Sequence, residues 1–163
     1  MSSPKGFSSV QIALHWVIAA LIIFQLIFGE SMADVWRTFE TTGAATLTVG
    51  AWAHILVGIA VLALAVWRIE VRLMRGVPDE PASSSARMVM AANVGHWVLY
   101  SLMFIAPISG LVAWYGGVAV VAEAHELLKP VLIILIAGHV AAALWHQFWL
   151  KDGLMDRMKR PAD

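Results

Sequence analysis

Four long apolar runs constrain the fold of this chain more than any other feature of its sequence. They cover residues 9–29, 46–67, 89–115 and 127–150. Each is long enough to cross a hydrocarbon core of about 30 Å as an α-helix. Only 13% of the residues are charged, whereas a soluble domain carries roughly 25%. We therefore predict an all-α membrane protein, with a bundle of four transmembrane helices in a single domain over residues 1–163.

The distribution of basic residues predicts how this bundle is oriented. Lysines and arginines gather near both ends of the chain and around the connection between the second and third runs. Only Arg37 and Lys129 fall on the opposite face. Because cytoplasmic loops carry an excess of Lys and Arg, both termini are expected in the cytoplasm. The first run is too long for the apolar part of a cleaved signal, so we expect it to remain as an anchor.

Two connections between the runs have distinct characters. Residues 76–85 contain Pro78, Pro81 and a run of serines, which predicts a polar cytoplasmic linker. Residues 30–45 mix acidic side chains with Trp36, and we expect a short amphipathic segment lying at the outer interface.

Charge and cysteine content exclude several functions. The net charge is zero and no basic stripe is present, so nothing indicates a nucleic-acid partner. The absence of cysteine excludes disulfides, iron–sulfur clusters, thiolate catalysis and covalently attached haem. No acid or base for hydrolytic catalysis is apparent. A metal in this protein would have to be held by histidine or carboxylate.

Six histidines lie in or beside the apolar runs, and they sort by depth. A buried imidazole in hydrocarbon must find a partner. One such histidine is most simply structural, but six in two layers favour ligation of a cofactor inside the bundle. His15 and His96 lie towards the cytoplasm, and His54 and His125 lie towards the outside. His139 is central to inner, and His146 is innermost.

Depth and spacing together predict two haems, each held by two histidines. Depth pairs His54 with His125 on the outer side, and His15 with either His139 or His146 on the inner side. Fourteen residues separate His125 from His139, which is a climb of about 21 Å that returns within about 40° of the same helix face. His146 is only seven residues beyond His139, about 10.5 Å, too little for two stacked porphyrins. We therefore predict His139 as the inner ligand, although depth alone matches His146 to His15 equally well.

The two remaining histidines are predicted to contact the cofactor or substrate without binding iron. Trp145 and Trp149 suit an interfacial belt, which would place His146 near the headgroups as a propionate, quinone or proton partner, or as an ordinary interfacial histidine. His96 could bond a haem propionate, bind a quinone oxygen or satisfy a backbone carbonyl, and it is assigned no ligand role.

Arginines and glycines near these histidines suit the same cofactor. Arg68 and Arg72 are four residues apart at the inner end of the second run, a spacing that could hold propionates, although the positive-inside rule would also place them there. Gly58 follows His54 by one turn, and Gly138 directly precedes His139. Because glycine has no side chain, both positions would leave room for a flat macrocycle. Each glycine taken singly is equally well explained by ordinary helix packing.

This set of residues, in this order on four helices, resembles the bacterial cytochrome b561 family over nearly the whole chain. No single motif among them is specific, but their combination is. The resemblance rests on His15, Trp16, His54, Gly58, Arg68, Arg72, Gly95, His96, Tyr100, Pro107, Gly110, His125, His139, residues 141–144, His146 and residues 149–152.

The resemblance implies a multi-pass protein of the bacterial inner membrane with two haems b. In that family the ligands correspond to His15 with His139 on the cytoplasmic side and His54 with His125 on the outer side. Electrons would pass between a donor and ubiquinone or another quinone, with membrane lipid and a redox partner protein as further contacts. Some members resemble superoxide oxidases, so superoxide is a possible substrate. It is not the expected one, because acidic residues outnumber basic ones on the outer surface and their field should repel that anion.

Two other functions remain open from the sequence. The chain could be the cytochrome b anchor subunit of a partner dehydrogenase or hydrogenase, which predicts co-purification with that partner. It could instead be a metal-ion transporter whose histidines line a pathway, which predicts a colourless protein. The scarcity of carboxylates in the apolar runs counts against the transporter.

Overall fold

Four of the five α-helices among the residues that the structure describes are long and apolar enough to cross a membrane. The computed structural model describes residues 4–81 and 83–162, and all its regular structure in those ranges is helical. The predicted bundle of four transmembrane helices is therefore confirmed. The helices are α1 (Ser9–Phe28), α2 (Glu30–Thr42), α3 (Val49–Arg75), α4 (Ala86–Gly116) and α5 (Ala119–Trp145), and all but α2 are spanning helices.

Capping residues explain where three spanning helices begin and where two of them end. The hydroxyl groups of Ser8, Thr48 and Ser85 each accept a hydrogen bond from the backbone N–H three residues later. These bonds satisfy N–H groups that have no partner within the helix. Gly76 after α3 and Gly117 after α4 have φ of 79° and 62°, a backbone conformation that favours glycine.

The helices extend beyond the apolar runs that predicted them. The second run ends at Trp67, but α3 continues to Arg75; the fourth run begins at Leu127, but α5 begins at Ala119. The physical reason is that hydropathy marks only the segment within hydrocarbon, whereas a helix continues until the chain reaches a capping residue. These extensions bring charged side chains onto regular helical positions at both ends of the bundle.

The amphipathic segment predicted on the outer side is helix α2. It ends at Gly43, whose N–H donates to the carbonyl of Phe39. Trp36, only 8% exposed, packs in a cluster with Ala113 of α4 and Ala122 of α5. Helix α2 therefore covers the outer end of the bundle instead of projecting into solvent.

Both ends of the chain lie at the opposite face of the bundle. The Ala162 N–H donates to the Phe7 carbonyl at 3.0 Å, and Trp16 Nε1 donates to the Met158 carbonyl at 2.9 Å. A π-helical turn over His146–Leu150 carries the chain from α5 into this arrangement. Most lysines and arginines are near this face, so it is the cytoplasmic face by the positive-inside rule.

Candidate functional site

Four of the histidines form two pairs in the bundle interior, and the two rings of each pair face each other. The outer pair is His54 on α3 and His125 on α5, with ring centroids 6.1 Å apart and planes at 90°. The inner pair is His15 on α1 and His139 on α5, with centroids also 6.1 Å apart and planes at 53°. Depth and spacing grouped the same four residues in the same two pairs.

The separation within each pair suits a shared metal. Metal–imidazole bonds are about 2 Å long, so two imidazoles on opposite faces of one metal have ring centroids about 6 Å apart. Both pairs have this separation, and each joins two different helices. Each pair therefore has the separation that two imidazole ligands of one metal would have.

A cavity of about 350 Å³ lies at the outer pair, and we call it the outer cavity. His54 and His125 both line it, and most of the remaining wall is apolar. Gly58 and Gly110 are also in the wall. A Cβ atom at Gly110 would lie only 3.1 Å from the His125 ring. A side chain at this position would therefore press on the His125 ring.

The two outer histidines differ in their hydrogen bonds. His125 Nδ1 lies 3.0 Å from Ser109 Oγ, which orients the ring and leaves Nε2 for a metal. His54 Nδ1 is buried and has no hydrogen-bond partner among the residues that the structure describes. Gln25 of α1 contacts His54 by donating from Nε2 to the His54 carbonyl at 2.8 Å. Sequence reasoning missed Gln25, although an amide within an apolar run was a visible signal.

Arg68 and Arg72 point into the inner site. Arg68 Nη2 lies 3.2 Å from His15 Nδ1, and its Nε donates to the Tyr100 hydroxyl at 3.1 Å. The Arg72 guanidinium lies over the rings of Tyr100 and Trp97, at 5.6 Å and 5.9 Å. Arg68 is thus held beside His15, and Tyr100 contacts both arginines.

The contact between Arg68 and His15 has a consequence for ligation. A guanidinium only donates, so His15 Nδ1 must accept and the ring proton must lie on Nε2. A neutral imidazole that binds iron through Nε2 carries its proton on Nδ1 instead. His15 can therefore bind iron in this way only if Arg68 moves to another acceptor, and a carboxylate is the partner that a guanidinium prefers.

His96 lies closer to the inner pair than the sequence indicated. Its ring centroid is 5.4 Å from that of His139, nearer than the ring of His15. This separation makes His96 a close neighbour of the inner pair.

His146 is paired with Asp152 in the turn that follows α5. His146 Nδ1 lies 2.6 Å from Asp152 Oδ2, and the two side chains are only 12% and 6% exposed. Ser83 Oγ and the Leu154 N–H also donate to Asp152, at 2.9 Å and 3.1 Å. Desolvation alone would raise the pKa of Asp152, but these hydrogen bonds outweigh it and lower the pKa below its ordinary value. The Asp152 carboxylate therefore holds the orientation of the His146 ring.

Comparison with known proteins identifies the family. Residues 6–161 match the family model described as "Prokaryotic cytochrome b561". The chain belongs to this family. It is 39% identical over 165 residues to a cytochrome b562 of Cereibacter sphaeroides, covering 99% of both chains. It is 30% identical to a protein of Yersinia pestis named "Probable superoxide oxidase CybB", covering 94% of this chain and 96% of that one.

Membership of the cytochrome b561 family establishes the general character of this protein. It is a multi-pass protein of the bacterial inner membrane that transfers electrons. A cytochrome b also implies haem b as the cofactor, in agreement with the fit of the histidine pairs.

This cytochrome b561 has balanced charges at its outer cavity. Glu30, Glu126, Arg37 and Lys129 all line the cavity, two of each sign. Lys129 on α5 is paired with Glu30 at the start of α2. The acidic excess on the outer surface therefore comes from residues outside the cavity wall.

Proposed function

We propose that this cytochrome b561 holds two haems b and passes electrons through the bundle between a donor and a quinone. His54 with His125 would ligate the outer iron, and His15 with His139 the inner iron. The observation that carries the proposal is the presence of two interior histidine pairs with the same 6.1 Å ring separation. Haem b supplies reversible one-electron chemistry at iron.

Helix α5 would set the distance between the two sites. It provides one ligand to each pair, and the fourteen residues from His125 to His139 correspond to about 21 Å along the helix. With two histidines to hold each iron, the sites would favour electron transfer over oxygen binding. The protein would then adjust the two potentials through burial and through hydrogen bonds to the ligands, such as that of Ser109 to His125.

Arg68 and Arg72 are the residues we assign to the inner haem propionates. Within residues 4–81 and 83–162, neither forms a salt bridge with a carboxylate. Two unpaired guanidinium groups beside a histidine pair suit bidentate hydrogen bonds to carboxylates. Transfer of Arg68 to a propionate would also release His15 Nδ1 for the tautomer that ligation requires.

We place the quinone at the inner end of the bundle. Reduction of a quinone to a quinol takes two electrons and two protons, so its oxygens need a hydrogen-bonding group that can exchange protons. The His146 imidazole, oriented by Asp152, is suited to that role at the cytoplasmic end of α5. His96, beside His139, is the second residue that could bind a quinone oxygen.

The first test is a haem count. A dithionite-reduced minus air-oxidised spectrum of the detergent-purified protein, with a pyridine haemochrome assay, should give two haems b per chain. One haem would retain electron transfer but contradict the assignment of four ligands. A colourless protein after haem supplementation during expression would instead support the metal-ion transporter. A stoichiometric partner that co-purifies would favour the anchor-subunit alternative.

Oxidation of superoxide is a second candidate function. Two observations favour it: the similarity to the protein named "Probable superoxide oxidase CybB", and the balanced charge of the outer cavity. Two superoxide anions, one quinone and two protons would give two molecules of oxygen and one quinol.

Lys129 provides a specific test of superoxide oxidation. In stopped-flow experiments with a superoxide source, we expect haem reduction that superoxide dismutase abolishes. Lys129→Gln should slow this reduction severalfold, because it removes a cation at the cavity and leaves Glu30 unpaired. Lys151→Gln, the same change at the inner face, should leave the rate unaltered. Haem reduction that is insensitive to the dismutase would contradict this candidate function.

A further inference from the structure

Gln25 is a polar side chain of helix α1 for which the proposed electron transfer gives no role. It lies within the first apolar run and lines the outer cavity. Its Nε2 donates to the backbone carbonyl of His54, but its Oε1 is buried and has no partner in the part of the chain that the structure describes. An amide is costly at such a position, because hydrocarbon offers no water to complete its hydrogen bonds.

A second unpartnered polar atom belongs to the residue that Gln25 touches. His54 Nδ1 is also buried, again with no partner among the described residues. An imidazole that binds iron through Nε2 carries its proton on Nδ1, where it is a donor. One residue thus has a donor to satisfy, and the residue in contact with it has a free acceptor.

The hydrogen bond between Gln25 and the His54 carbonyl decides which atom of the Gln25 amide remains free. The His54 carbonyl accepts only, so it must face the nitrogen of Gln25, as it does at 2.8 Å. If the amide oxygen and nitrogen of Gln25 exchanged places, the amide oxygen would face the carbonyl oxygen, and both are acceptors. The oxygen is therefore the atom of Gln25 that remains available to the His54 side chain.

Gly58 leaves room for this arrangement between α1 and α3. A Cβ atom at Gly58 would lie 3.2 Å from Gln25 Nε2. Any side chain there would crowd the Gln25 amide. The opposite ligand, His125, already has a side-chain partner on Nδ1 in Ser109.

We propose that Gln25 Oε1 accepts the Nδ1–H of His54 when His54 binds the outer iron, so that one amide holds both the carbonyl and the ring of this ligand. The inference rests on the proposed function, because it concerns a haem ligand. Gln25 would be a positioning residue that never contacts the reacting atoms. An acceptor on Nδ1–H makes the imidazole a stronger donor to iron, which favours ferric iron and lowers the midpoint potential of the outer haem.

Gln25→Met tests the proposal, because methionine has a similar length and lacks the amide. We expect a redox titration of the purified holoprotein to show a midpoint potential for the outer haem raised by about 59 mV, a tenfold change in a one-electron equilibrium. The inner haem should titrate as before. Gln147→Met, the same change beyond α5, should leave the potential of the outer haem unaltered.

A shortened amide separates hydrogen bonding from folding. Gln25→Asn keeps the polar group but withdraws it from His54, so it should give the same rise even if Gln25→Met fails to fold. An unchanged outer potential in a Gln25 variant that holds both haems would overturn the inference and leave the proposed function intact. Absence of the outer haem from the unmodified protein would instead contradict the proposed function itself.

Discussion

We expect His139→Ala to lose the inner haem and to keep the outer one. His139 is the shared neighbour of His15 and His96, with ring centroids 6.1 Å and 5.4 Å away. Removal of His15 would leave His96 opposite His139. Removal of His139 leaves neither His15 nor His96 with a histidine opposite it. A pyridine haemochrome assay should therefore fall from two haems per chain to one.

The matched control for this variant is His146→Ala on the same helix. His146 is one of the six histidines, but it is paired with Asp152 in the turn that follows α5. We expect this variant to retain both haems, with any defect confined to reactions with quinone. Two haems in His139→Ala, with an unchanged spectrum, would show that our inner ligand assignment is wrong.

The second large effect is expected from Gly110→Val, which should remove the outer haem alone. A Cβ atom at Gly110 would lie 3.1 Å from the His125 ring, and valine adds two more carbons. The ring also bonds Ser109 at 3.0 Å, so the shift that valine requires would strain that bond and move the ring from its position opposite His54. Close-packed interiors do not absorb such a volume without displacement.

Haem counting also distinguishes which site Gly110→Val affects. The variant alone should hold one haem per chain, and in combination with His139→Ala it should hold none. Gly95→Val is the control on the same helix, because a Cβ atom there meets no described atom within 4 Å. We expect Gly95→Val to keep the outer haem. A Gly110→Val protein that still holds both haems would contradict the outer site as we describe it.

Much of the fold could be predicted because it depends on properties that are local along the chain. Hydropathy identified the four spanning helices, and the mixed composition of residues 30–45 identified the amphipathic helix α2. Helix ends were predicted less well. The extension of α3 to Arg75 and the start of α5 at Ala119 depend on capping and on contacts at the membrane surfaces, which hydropathy does not measure.

The sequence by itself determined the depth of each histidine, since every residue adds a fixed rise along a helix. Depth grouped His54 with His125, and the spacing from His125 along one helix was needed to select His139 over His146 as the partner of His15. Only the tertiary structure decided which side chains turn towards one another, because this depends on the rotation of each helix about its axis and on packing between helices. Arg68 at His15, His96 at His139 and Gln25 at His54 are contacts between helices that no spacing within one helix could reveal.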